Sequence, residues 1–339
     1  MTIDAIQLTP DQPTLDAKNF GPLIDLWLDD CGRLVSARTL TGYREKIEYV
    51  REWWLTHGPG YNWKLSETAV QDYAHWLSER PSRFGKPLGY NTRRDALRRL
   101  RALFLWAWKK GYVQNNYAKW VPAPTGSAPL RKAPALDALR RLIEAAQRSQ
   151  YPLRDRAILA VLLGTGVRRA ECAGINIEDV QIDADGSGVI AVKAKRVKGR
   201  EVHARHVAFD VATGAHIRAQ VDDLQRSYPD RTTGPLFSST RFDQNRLTVI
   251  GIYRVVKKLI GLAGLEDQIE GPHDLRRYFA TYYSRHRRGE AYGQLLSKQL
   301  GHSTYRMTAH YSLQDVEDIR ESMISPFALL EEEEKEDKA

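Results

Sequence analysis

"LGTGVRRAECAGINIEDV", Leu163 to Val180, sets two glycines in a turn ahead of paired arginines, with Glu171 three residues after Arg168. Glycines before a helix often mark a phosphate loop. A P-loop needs Gly-Lys-Ser/Thr, however, and a dinucleotide fold needs a third glycine at fixed spacing. The stretch has neither. What remains is a helix start that presents Arg168 beside a carboxylate, and its purpose has to be sought in the rest of the chain.

The chain has 339 residues, enough for two domains each with its own core. Its formal charge is +9 and its pI about 9.4. The last nine residues hold six acids and two lysines, a net −4, so the remainder carries +13. Such a surplus attracts phosphate polymers or an anionic membrane, although solvated lysines on an ordinary basic protein give the same total. Cys31 and Cys172 are far apart and lack metal-ligand neighbours, which excludes a disulfide framework and a zinc site. The N-terminus has neither a basic start nor an apolar run, and the longest apolar stretch, "LFLWAW" at 103–108, is far too short to cross a bilayer. The expectation is a cytoplasmic, nucleoid-associated protein with no membrane partner.

After a polar lead, the first half reads as four helices: "LIDLWLDDC", "SARTLTGYREKIEYVREWWLTH" behind a Ser/Thr cap, "SETAVQDYAHWLSER", and "YNTRRDALRRLRALFLWAWKKG". In the fourth, Leu97, Leu100, Phe104 and Trp108 form an apolar stripe, flanked by Arg94, Arg98 and Arg101. Charges beside a packed stripe usually only keep a helix soluble. Five arginines between Arg93 and Arg101 favour a surface for phosphate backbone, so Arg93, Arg94, Arg98 and Arg101 are candidate DNA contacts. "VPAPTGSAPLRKAPA" reads as a linker. Beyond it come helix signals at "LDALRRLIEAAQRS" and "RDRAILAVLLGTG", strand-like passages at "GVIAVKAKR" and "HVAFD", and a mostly helical remainder.

Separated clusters in the second half share one chemical theme. Arg168 is followed by Glu171; "GPHDLRRYFATYYSR" supplies His273 and Arg276, ~4.5 Å apart along one helix face; and "LGHSTYRMTAHYS" offers His302 and Tyr311. Each has an ordinary explanation, as a surface ion pair, a solvated face or a half-buried tyrosine. Their joint order is far more specific: arginine, lysine-rich hairpin, His-x-x-Arg, Gly-His, tyrosine.

In that order the sequence resembles the tyrosine recombinases, also called phage integrases, over roughly Phe20 to Met323. "TGVRRAE" matches the family's Thr-Gly-Leu-Arg turn with Val167 for leucine. "HDLRRYFAT" matches the His-x-Leu-Arg block with Arg277 where histidine is frequent, and "LGHS" with Tyr311 matches the last block. Asn115-Asn116 stands where Asn-Pro is usual. In the hairpin, Lys195 aligns best with the family's lysine; the stretched spacing keeps Lys198 as its alternative, and otherwise a DNA contact.

The resemblance implies a mainly helical fold with a small antiparallel sheet in the C-terminal domain, two domains closing as a clamp on double-stranded DNA. Composition and resemblance together divide the chain into a flexible lead (1–15), a helical core-binding domain (16–120), a linker (121–134), a catalytic domain (135–325) and an acidic tail (326–339). The resemblance also implies a site-specific recombinase that breaks and rejoins DNA through a 3′-phosphotyrosine, for integration, excision or resolution, acting as a homo-oligomer, a tetramer on two sites. Arg168 and Arg276 would clamp the phosphate, whose transition state gathers charge that a guanidinium fork answers. His302 would donate, His273 would donate or accept a proton, Tyr311 would attack, and Lys195 would protonate the leaving oxygen. No cofactor or metal is implied, because the phosphotyrosine conserves the bond energy.

Several alternatives stay open at this point. A type IB topoisomerase uses the same chemistry to relax DNA, and a noncatalytic regulator could keep the fold. Tyr305 is a rival nucleophile off the family's register. In one straight helix His302 and Tyr311 would lie ~13.5 Å apart, so a break is needed, which Gly301 and a Ser303 or Thr304 cap can supply. Leu313, Val316, Ile319 and Met323 form an apolar stripe that packs on its own domain or docks on a neighbouring protomer.

Overall fold

The computed structural model describes residues 21–61, 65–82, 85–113, 115–124, 126, 134–193, 205–239, 245–287, 290–301 and 323. The lead at 1–15, most of the linker, Lys195, Lys198, His302, Tyr305, Tyr311 and the acidic tail lie outside the described residues. The chain divides into two compact units, with described residues up to 126 in the first and from 134 in the second.

The first unit contains α1 (Gly21–Leu34), α2 (Ala37–His57), α3 (Glu67–Glu79) and α4 (Tyr90–Lys109). Two starts follow the cap chemistry of the sequence. Ser36 Oγ accepts from Thr39 N at 3.3 Å and Ser66 Oγ from Ala69 N at 3.1 Å, each satisfying an amide the helix leaves open and contributing about 1 kcal/mol. The core gathers Ile24, Trp27, Ile47, Trp53, Tyr73 and Phe104. Along α4 the stripe differs from the expectation at one place: Leu97, Leu100 and Phe104 are buried, but Trp108 is 43% exposed. Leu103 and Ala107 take the buried positions instead. At about 100° per residue, 100, 103, 104 and 107 share a narrow arc that leaves 108 on its edge.

The second unit runs α5 (Leu136–Gln147), α6 (Pro152–Thr165), α7 (Arg169–Gly174), β1 (Val180–Ile182), β2 (Gly188–Val192), β3 (Arg205–Phe209), α8 (Val211–Ser227), α9 (Val249–Leu262), α10 (Pro272–His286) and α11 (Glu290–Leu300). The three strands are antiparallel in the order β1-β2-β3, with Val180 opposite Ile190 and Val189 opposite Ala208. β1 is a finding, since its three residues carry too little alternation to read as a strand. Its neighbours fix it: Asp179 accepts from Asn176 N and Glu178 from Gly234 N. After its charged first turns α6 is apolar all round, with Ala157 through Leu163 inaccessible, and forms the centre of the unit. Met323 packs against Phe279, Tyr283 and Leu300 of the same unit.

Candidate active site

The two glycines of the opening stretch have different packing tasks. A Cβ at Gly164 would lie 2.0 Å from Thr213 Oγ1, so this position lets α8 approach α6 closely. Gly166 ends α6 at φ +64°, the left-handed cap that favours glycine, and a Cβ there would lie 2.4 Å from the Phe279 ring and 2.9 Å from Leu300. The turn is thereby pressed between α10 and α11. Its carbonyls are used by those same helices: Gln299 Nε2 donates to Thr165 O at 3.1 Å and Arg276 Nη1 to Gly166 O at 2.6 Å.

Past the turn, Val167 is fully buried and Arg168 sits at the cap position of α7, its side chain 46% exposed. Arg168 Nη2 donates to Gly301 O at 2.8 Å, and Arg276 Nη2 donates to Leu300 O at 2.7 Å. The two guanidinium groups therefore converge on consecutive carbonyls at the end of α11. Gly301, at φ +62°, terminates that helix, and His302 follows it in the sequence. Arg276 is buried, and burial, then the neighbouring positive charge of Arg168, pushes its guanidinium down to about 10, still protonated at neutral pH.

One carboxylate serves this cluster. Glu171 Oε2 accepts from Arg168 N at 2.7 Å and Oε1 from Arg168 Nη1 at 3.1 Å; Arg205 then grips both oxygens, Nη1 to Oε1 at 2.7 Å and Nη2 to Oε2 at 3.1 Å. Burial pushes the Glu171 carboxyl up, but the hydrogen bonds and charge of Arg205, followed by Arg168, hold it below the usual glutamate range. Glu171 is ionised and fully engaged. Arg205 joins this cluster although the sequence motifs do not single it out, yet β3 carries a signal for it. Alternation places Arg205 in register with Val207 and Phe209, all buried, so a charge stands on the core face of a strand.

His273 is exposed on the first turn of α10, one turn before Arg276. Asp274 secures that turn by accepting from Glu270 N at 2.6 Å and pairing with Arg277 at 3.0 Å. In the first unit, Arg98 is exposed, Arg94 lies over the Tyr90 ring at 5.9 Å, and Arg93 is half-buried. Arg101 donates to Val121 O, so part of its donor set serves the fold.

Comparison with known proteins agrees with this geometry. The model of the phage integrase family matches residues 135–317. A tyrosine recombinase XerC of Rhodospirillum centenum is 30% identical over 298 residues, covering 86% of this chain and 81% of the relative. A tyrosine recombinase XerD of Mycobacterium tuberculosis is 28% identical over 295 residues, covering 85% and 91%. In fold, the chain is similar to a lambda integrase tetramer solved on a Holliday junction, with a TM-score of 0.58, 16% identity, and coverage of 90% and 85%.

Proposed function

The chain belongs to the phage integrase family, and we propose that it is a site-specific DNA recombinase that cuts and rejoins strands through a 3′-phosphotyrosine at Tyr311. The observation that supports this most is the convergence of Arg168 and Arg276 on the carbonyls of Leu300 and Gly301, immediately before His302.

In this reading the phosphodiester lies against Arg168, with Arg276 beneath. Tyr311 Oη forms a bond to phosphorus while the bond from phosphorus to the 5′-oxygen breaks. The phenol passes its proton to His273, and the 5′-oxygen takes a proton from Lys195 or Lys198. The equatorial oxygens gain charge in the transition state, and fixed guanidinium donors favour that state over the bound ground state. The reverse attack, by the 5′-hydroxyl of another strand, completes an exchange.

Arg93, Arg94 and Arg98 hold the backbone of double-stranded DNA, in a tetramer like that of the lambda integrase complex. The test is a two-site plasmid carrying DNA that the chain captures covalently from a genomic library. Recombinant products, absent with Tyr311→Phe, support the reading; relaxation alone would identify a topoisomerase.

A further inference from the structure

Arg168 and Arg205 both bond the carboxylate of Glu171, and Arg276 lies near enough to feel its charge, so this cluster of described side chains carries a net charge of +2. Remove Arg205 and the same site carries +1, with Glu171 drawn wholly onto Arg168. That difference matters for an attacked phosphodiester, whose transition state carries two negative charges.

We propose that Arg205 is a positioning residue for strand cleavage: by bonding both oxygens of Glu171, it shares the carboxylate that would otherwise be neutralised by Arg168 alone, so that the half-exposed Arg168 guanidinium keeps more of its charge for a phosphate. The inference rests on the recombinase reading above. Geometry supports it at three points. Arg205 is 6% exposed, and it meets Glu171 as a two-pronged fork that a lysine cannot reproduce. It is the first residue of β3, directly after the segment bearing Lys195 and Lys198, and its Nη2 lies 3.4 Å from Gln299 O in the last turn of α11. A Cβ at Gly301 would lie 2.8 Å from its Nε, so the Arg205 side chain also bounds the turn that leads into His302. A buried ion pair is a poor source of stability compared with apolar packing. A role in setting charge explains why this one stands beside Arg168.

The test compares two duplexes of the sequence that the wild-type chain cuts, one with the native phosphodiester and one with a methylphosphonate at the scissile position. The methyl group removes one negative charge from the transition state, so a site deficient by one positive charge is penalised only on the native substrate. In single-turnover cleavage, Arg205→Met should slow the phosphodiester on the order of 30-fold and the methylphosphonate about threefold or less. Arg205→Lys should fall between wild type and Arg205→Met.

The double variant Arg205→Met/Glu171→Met restores the net +2 and should return the ratio of the two rates toward wild type. It also replaces the buried pair by apolar side chains, so it keeps the test readable if Arg205→Met alone fails to fold. Equal losses on both substrates, or a double variant that keeps the altered ratio, overturn the inference and leave the recombinase reading intact. A wild-type chain that forms no covalent adduct overturns both.

Discussion

Gln299 and Ala208 pair as two strands would: Ala208 N donates to Gln299 Oε1 at 3.1 Å, and Gln299 Nε2 donates to Ala208 O at 2.9 Å. A side-chain amide at the end of α11 thus occupies the outer edge of β3, the one side of that strand without a neighbouring strand among the described residues. The same amide reaches Thr165 O in the Gly-Thr-Gly turn, so sheet, turn and helix end are tied at one residue. Replacing Gln299 by leucine leaves the buried Ala208 peptide without partners on that edge. We expect a loss of about 2–4 kcal/mol in urea unfolding. An unchanged midpoint would show that the bridge is dispensable.

Gly166 is held both by its conformation and by its neighbours. Gly166→Ala forces an L side chain to φ +64° and into the Phe279 ring. The expected cost is about 3 kcal/mol or more, seen as a lowered Tm. Gly174, whose Cβ would meet nothing within 4 Å, is the control and should lose far less when changed to alanine.

Acid should weaken the cluster with a definite sign. The Glu171 carboxyl is held below its ordinary range when folded, so between its folded and unfolded values the unfolded chain binds more protons. Its contribution is fully present above the unfolded value, about 4.3, and disappears as pH falls through the lower folded value. The stability gap between wild type and Glu171→Gln should therefore be constant from pH 7 to about 5 and close below about 4. Urea titrations at each pH measure it, and a gap that widens on acidification contradicts the assignment.

The arginines of α4 should separate by role. Arg98→Ala should leave Tm unchanged and lower the slope of log affinity against log salt by about 0.9 for each DNA phosphate that Arg98 neutralises. Arg101→Ala should lower Tm as well, because it removes the donor to Val121 O. Equal melting behaviour in both variants would remove the distinction.

Much of this architecture can be read from the sequence because its signals are local. Ser36 and Ser66 cap the helices they precede, Pro272 opens α10, and Gly301 closes α11. The arginine order is legible for the same reason, each residue lying in a short motif of its own. The hidden part depends on contacts between distant segments. β1 exists through pairing with β2, Trp108 is excluded by the arc that its neighbours fill, and Arg205 meets Glu171 only when β3 folds against it from 34 positions away. Gln299 is, in sequence, an ordinary polar residue late in a helix, and only the edge of β3 beside it gives its amide a task.

The central claim is that Tyr311 becomes covalently joined to DNA. Tryptic digestion after nuclease treatment of the captured complex isolates residues 307–320, a peptide whose one tyrosine is Tyr311, separately from residues 299–306, which hold Tyr305. Mass spectrometry should find a nucleotide on the first peptide and none with Tyr311→Phe. A nucleotide on the second peptide, or on neither, contradicts the account.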